Sequence, residues 1–330
     1  MSHAKILICD DSSLARKQIA RAIPADCGVD ITFAADGEEG LAVMRGGQID
    51  LLFLDLNMPN LDGYGVLQAA QKEALQGHIV VVSGDIQPEA NERVMRFGAL
   101  DFIKKPVDAD RLHAILDQLG ITCAQRPETA TLPPIEVAPM DGLREVSNIA
   151  MGRAADLLAR LLGVFVELPV PKVDYLESGE LQMALLDVAG NEDVAAVCQG
   201  FIGGGVSGEA LLILHESSYS DLAALLRHDE ELNDSSKVEL LMDTAGLLIG
   251  AFMNGFSDQL DVGFSISHPK LLGRHADIAA LIGRNAETWK KVLAIEVSFG
   301  IENYNTSAHL LLLFTEESMS SIISRIAYRI

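Results

Sequence analysis

Short apolar runs alternate with amphipathic stretches over residues 4–121. The runs Lys5–Cys9, Asp30–Ala34, Leu51–Leu54, His78–Ser83 and Leu100–Lys104 predict strands. Several are almost wholly apolar, as expected of strands that helices cover on both faces. Between them, Ser13–Ala22, Gly37–Arg45, Gly63–Glu73, Glu89–Phe97 and Asp110–Leu119 carry apolar residues at helical spacing. Five such strand–helix units predict an α/β domain, a doubly wound five-strand parallel sheet, with any site at the carboxyl ends of its strands.

The alternation stops at residues 122–139, where four prolines interrupt a stretch of little periodicity and predict an extended linker. A long helical pattern follows, Asp141–Leu162, with Leu143, Val146, Ile149, Ala150, Leu157, Leu158 and Leu161 on its apolar positions. Strand-like runs come next at Leu181–Val188, Ala195–Ile202 and Ala210–Leu214. A second helical pattern spans Ser235–Phe256, and further strand-like runs follow at Gly263–His268, Val292–Phe299 and His309–Phe314.

This order suggests a repeat. Asp141, Glu145, Asn148, Gly152 and Pro171 correspond, at an offset of 98, to Glu239, Asp243, Gly246, Gly250 and Pro269. Two of these pairs are identical and two exchange Asp and Glu. The expected organisation is therefore domain 1–121, linker 122–139 and an α+β domain 140–330, with an internal pseudo-repeat of about 140–235 and 236–330.

Composition narrows the class. The 330 residues suit two domains, and 49% hydrophobic with 22% charged residues argues for folded ones. Twenty-five Lys and Arg against 47 Asp and Glu give a net charge of -22. Such a chain repels phosphate backbones and anionic lipid, so neither nucleic acid nor membrane is an expected partner. No apolar run approaches the ~18 residues of a membrane span. The N-terminus has no signal-peptide pattern, and a cytoplasmic location is expected. Cys9, Cys27, Cys123 and Cys198 are scattered without metal-type spacing and are expected to be free thiols.

The chemistry gathers at strand ends. Asp10 and Asp11 end the first run and Asp55 ends the third, so three carboxylates converge on one pocket. Such a cluster repels itself unless a cation is present, and hard carboxylate oxygens suit Mg²⁺ with a phosphate beside it. Ser83 ends the fourth strand with a hydroxyl donor, and Lys105 follows the fifth with a fixed positive charge, just before Pro106. A cation, a lysine and a hydroxyl around one aspartate stabilise a transferred phosphoryl group, with Asp55 as nucleophile and phosphoacceptor. Taken singly, each aspartate also fits a helix N-cap or a solvated loop.

Asp10-Asp11, Asp55 within D-L-N-M-P-x-x-D-G, Ser83 and Lys105-Pro106 resemble a response-regulator receiver domain over all of residues 4–121. The resemblance implies Mg²⁺ held by Asp10 or Asp11, Asp55 and the Asn57 backbone. It also implies phosphotransfer from a histidine kinase (CheA-like in a chemotaxis setting) and an aromatic switch residue at Phe102.

In the second domain, Glu145 and Asn148 share one helix face, with Asp141 one turn earlier. A glutamate pairs with an ammonium, and an asparagine holds a water in line with a phosphorus atom. Asp141, Glu145, Asn148 and Pro171 together resemble the motif of the CheC/CheX/FliY chemotaxis phosphatases. That resemblance implies hydrolysis of aspartyl phosphate on a CheY-like receiver, with Glu145 on the receiver's lysine and Asn148 on the attacking water. The second repeat departs from it: Asp243 is shorter than glutamate and Gly246 has no side chain, so one working site and one degenerate site are expected.

The rival expectation is a non-catalytic interaction module that binds a chemotaxis or flagellar protein when Asp55 is phosphorylated. A homodimer, through a paired receiver face or an edge strand, is compatible with either. Gly203-Gly204-Gly205 reads as a hairpin turn rather than a phosphate loop, and His113, His215 and Trp289 read as structural.

Overall fold

The computed structural model describes residues 3–24, 27–121, 138–177, 179–181, 183, 194–228, 232–273 and 291–329. These form two compact units, Met1–Ile149 and Ala150–Arg329.

In the first unit, strands β1 (Ala4–Cys9), β2 (Val29–Ala34), β3 (Leu51–Leu54), β4 (His78–Ser83) and β5 (Asp101–Lys104) alternate with helices. The helices are α1 (Ser13–Ala22), α2 (Gly37–Gly46), α3 (Gly63–Lys72), α4 (Pro88–Arg96) and α5 (Ala109–Gln118). The strands form one parallel sheet in the order β2-β1-β3-β4-β5. The apolar runs are continuous because alternate residues feed two cores. Leu7, Leu52, Leu54 and Val81 pack on one face, and Ile6, Ile8, Phe53, Val80 and Ile103 on the other. Polar side chains start the helices at the carboxyl edge. Ser12 caps α1 by accepting from Ala15 N–H at 3.1 Å, and Asp62 caps α3 by accepting from Gly65 N–H at 2.7 Å. Helix α6 (Pro139–Leu162) begins in this unit.

The second unit holds β6 (Val166–Glu167), β7 (Lys172–Glu177), β8 (Val194–Gly203), β9 (Val206–His215) and α7 (Tyr219–Leu225). It continues with α8 (Asp234–Leu260), β10 (Ser265–Ile266), β11 (Lys270–Gly273), β12 (Lys291–Ile301), β13 (Ser307–Phe314) and α9 (Glu316–Arg329). The predicted repeat is present element for element. Shifting α6, β6, β7, β8, β9 and α7 by the 98-residue offset lands on α8, β10, β11, β12, β13 and α9. All eight strands join one antiparallel sheet, whose central order is β8-β9-β13-β12. Phe252 and Phe256 of α8 lie over it, Phe256 tilted against Phe314 at 5.5 Å, which in turn meets Phe201 edge-on at 5.2 Å. Gly204 and Gly205, with φ of 55° and 79°, make the two-residue β8–β9 hairpin, as the sequence predicts.

Four expectations need correction. The Gly263–His268 run yields only the two-residue β10, because its neighbouring side chains face solvent rather than a core. Of Leu181–Val188, the described residues 181 and 183 are helical and the rest lies outside the described residues, as do Trp289 and most of the 122–139 linker. By length and composition α8 could cross a membrane, against the expectation of no such segment; its apolar surplus instead fills the interior of the second unit. Cys9 and Cys198 are free, but Cys27 is disulfide-bonded. Spacing along the chain does not report which thiols the fold brings together.

Candidate functional site

The carboxyl ends of β1, β3, β4 and β5 deliver side chains to a common pocket. Asp10 and Asp11 follow β1, Asp55 follows β3, Ser83 ends β4 and Lys105 follows β5. The backbone fixes these positions by extending the sheet one residue further: Asp55 N–H donates to Cys9 carbonyl at 2.9 Å, and Lys105 N–H to Ser83 carbonyl at 2.9 Å. Gly63 serves the same end. A Cβ there would sit 2.2 Å from the Asp55 carbonyl, so only glycine lets α3 start against the phosphoacceptor loop.

Asp10, Asp55 and Lys105 are almost fully buried, with Asp55 only 1% exposed. Lys105 Nζ lies 2.9 Å from Asp10 Oδ2 and 3.4 Å from Asp55 Oδ1. Asp10 Oδ1 accepts from Ser12 N–H at 2.9 Å, which fixes its carboxylate plane. Burial pushes the Asp10 carboxyl up to about 8, against Lys105 and with help from Asp55 and Glu145. Burial also raises Asp55 to about 7 and Asp11 to about 6, each reinforced by a neighbouring aspartate. Burial pulls the Lys105 ammonium down, but the carboxylates of Asp10, Asp55 and Glu145 outweigh it and hold it well above the usual lysine range.

One ammonium thus faces several buried acids, and the imbalance calls for a second cation. Carboxylate oxygens of Asp10, Asp11 and Asp55 lie within 4.8 Å of one another, a spacing that a small hydrated cation spans. Both Asp55 carboxylate oxygens are buried with no hydrogen-bond partner among the described residues. The site therefore fits Mg²⁺. Asn57 is buried beside Asp55 in sequence, its Nδ2 likewise without a partner. Phe102, on β5, is half-buried against the core that contains Leu54 and Val81. Ser83 Oγ accepts from Asp85 N–H at 3.1 Å, leaving its own proton to donate elsewhere.

The first unit also contains the start of α6, and there the predicted motif meets the pocket. Asp141, Glu145 and Asn148 follow one helix face. Asp141 Oδ2 accepts from Ser13 Oγ at 2.7 Å, and Glu145 Oε1 lies 3.4 Å from Lys105 Nζ. A Cβ at Gly84 would sit 3.3 Å from the Asn148 carbonyl oxygen and 3.2 Å from Ile149 Cα. Glu145 is 4% and Asn148 5% exposed, and each keeps one side-chain oxygen without a partner among the described residues. Sequence reasoning missed Ser13 and Gly84. A glycine after a strand end does signal close backbone approach, but not by what. Pro171 is buried in the turn before β7. In the second unit, Asp243 and Gly246 of α8 are exposed, and a Cβ at Gly246 would meet nothing within 4 Å.

Residues 6–117 match the response regulator receiver domain family, and this part of the chain is a two-component receiver domain. Among curated proteins, the chain is 30% identical over 182 residues to protein-glutamate methylesterase/protein-glutamine glutaminase 5 of Myxococcus xanthus (strain DK1622), covering 52% of each. It is 31% identical over 115 residues to the probable C4-dicarboxylate response regulator DctR of Bacillus subtilis (strain 168), covering 34% of this chain and 51% of that protein. The chain spans about half or less of the length of the curated relatives it matches. Among solved structures, chemotaxis protein CheY4 of Vibrio cholerae is 27% identical, covering 36% of this chain and 98% of its own, with TM-score 0.33. FliY of Thermotoga maritima is 19% identical, covering 58% and 97%, with TM-score 0.44.

Proposed function

We propose that this chain is a cytoplasmic response regulator whose 140–330 domain hydrolyses the aspartyl phosphate of CheY-like receivers and so ends a chemotaxis-type signal. Its own receiver takes phosphate on Asp55 from a CheA-like histidine kinase. Asp10, Asp11, Asp55 and the Asn57 backbone are the residues that would hold Mg²⁺, which when bound neutralises phosphoryl oxygens. Lys105 pairs with a further phosphoryl oxygen and the Ser83 hydroxyl donates to another. Phe102 follows the occupancy of that pocket as a switch.

The observation that carries the phosphatase reading is Glu145 Oε1 at 3.4 Å from the ammonium of a receiver lysine. A helix that inserts a glutamate there brings Asn148, one turn on, toward the same pocket, where its carboxamide can hold a water for attack on phosphorus. Asp141, paired with a receiver serine, and Pro171 are supporting members of the motif. Asp243 and Gly246 supply neither group, so α8 carries a degenerate copy. The test follows the decay of aspartyl phosphate on a separate CheY-like receiver with the full chain and with Glu145→Ala/Asn148→Ala. Accelerated decay that the double substitution reduces at least about tenfold is the expected result. Unchanged decay, with Asp55 phosphorylated or not, would replace this reading with the phosphorylation-dependent interaction module.

A further inference from the structure

Resting on that phosphatase reading, we infer that its substrate includes the chain itself: Glu145 and Asn148 hydrolyse the phosphate on Asp55 of their own receiver. Three contacts within the first compact unit tie the start of α6 to the phosphoacceptor pocket. Asp141 accepts from Ser13 at 2.7 Å, Glu145 reaches Lys105 at 3.4 Å, and the α6 backbone at Asn148 and Ile149 closes on Gly84. The third is close: a Cβ at residue 84 would press on α6 backbone at 3.2–3.5 Å, so α6 would have to give by a few tenths of an ångström.

The burial points the same way. Glu145 and Asn148 are 4% and 5% exposed, yet Glu145 Oε2 and Asn148 Oδ1 have no hydrogen-bond partner among the described residues. A buried oxygen left unpaired is costly, so these groups gain when a water enters the pocket beside them and donates to them. While they are buried against their own receiver, Asp55 of that receiver is the phosphoacceptor within their reach. Tethering gives the attached receiver an effective concentration in the millimolar range, above that of an ordinary cellular partner.

The step balances without a further reactant. A water held by the Asn148 carboxamide oxygen attacks phosphorus, and a new P–O bond forms. The bond between phosphorus and the Asp55 carboxylate oxygen breaks, with its electron pair staying on Asp55. The proton of the water leaves with inorganic phosphate. Glu145 holds Lys105 in place without changing protonation, and both are regenerated.

The experiment uses three full chains: the natural sequence, Asn148→Ala and Asp55→Asn. Each is treated with acetyl phosphate, freed of donor, and followed by phosphate-affinity electrophoresis. The natural chain is expected to lose phosphate by first-order decay, at a rate constant across about a hundredfold range of protein concentration. Asn148→Ala is expected to take up phosphate, which shows its receiver folded, and to lose it at least about tenfold more slowly. If that variant takes up no phosphate, Asn148→Leu replaces it, keeping the volume of the buried side chain. Adding Asp55→Asn, which has Glu145 and Asn148 but no phosphoacceptor, is expected not to restore fast decay to Asn148→Ala. Restoration, or a rate that rises with concentration, would overturn the inference in favour of exchange between chains. Equal decay of the natural chain and Asn148→Ala would also overturn it. If a separate CheY-like receiver were still dephosphorylated in that case, the phosphatase reading would stand without its self-directed part. If it were not, both would fall together.

Discussion

Lys105 is the residue on which the pocket's electrostatics turn. It is buried among Asp10, Asp55 and Glu145 and is the cation that the described residues supply there. Lys105→Met would leave those acids uncompensated, and loss of about 3–5 kcal/mol of stability is expected in the metal-free protein. Added Mg²⁺ should recover part of it in thermal unfolding. The aspartates set a pH dependence of their own. Asp10, Asp11 and Asp55 are raised above ordinary carboxylate values, so the folded chain holds protons that the unfolded chain has already released. Metal-free stability is therefore expected to be fullest below about pH 4 as far as these groups are concerned, and to fall as pH rises toward about 8. Denaturant titrations in EDTA at pH 5 and pH 8 check the sign, and Mg²⁺ should flatten the slope. Cys198 makes a contrast: burial pushes its thiol up to about 11, with Glu209 adding to the effect. Its thiolate is scarce at pH 8, and it should resist a disulfide reagent until the chain unfolds.

Among the elements, α6 and α8 occupy matching places in the repeat and differ in what they carry. Gly246 lies on an exposed turn of α8 with open space around its Cβ. Gly246→Asn should raise stability by a few tenths of a kcal/mol at most, since asparagine is the better helix former. Gly63→Ala should do the opposite, lowering stability by about 2 kcal/mol or more, because its Cβ collides with the Asp55 carbonyl. Thermal unfolding of both variants decides these points. The same scale explains what the sequence made legible. β1, β3 and β4 are unmistakable as unbroken apolar runs because both their faces are buried. β6, β7 and β11 were missed because they are short or half-polar edge strands whose hydrogen bonds to β8 and β12 leave no hydrophobic period. Asp10, Asp55, Ser83 and Lys105 were legible because the strands of one parallel sheet must all end on the same side. Ser13 and Gly84 were not, because their partner helix lies far along the chain, 128 residues from Ser13 in the case of Asp141.

For the molecule as a whole, Asp55 is 1% exposed with the start of α6 against its pocket, and phosphate entry is expected to be faster where that segment is loosened. Gly84→Leu is expected to speed uptake from acetyl phosphate, and a time course against the natural chain reads this directly. Sequence-level repetition in the second unit has another outcome. β9 of the first copy and β13 of the second are bonded along Gly208–Leu214 and Ala308–Phe314, in the middle of one continuous sheet. Duplication has thus left a seam rather than a boundary. Cutting the gene there would expose two long apolar strand edges that the intact chain never shows to water, and each fragment should self-associate into insoluble material. Whatever the ancestral single copy did to cover that edge, by pairing with a twin or otherwise, the fused chain now does internally. Its two halves can drift apart in chemistry while remaining inseparable as folded matter.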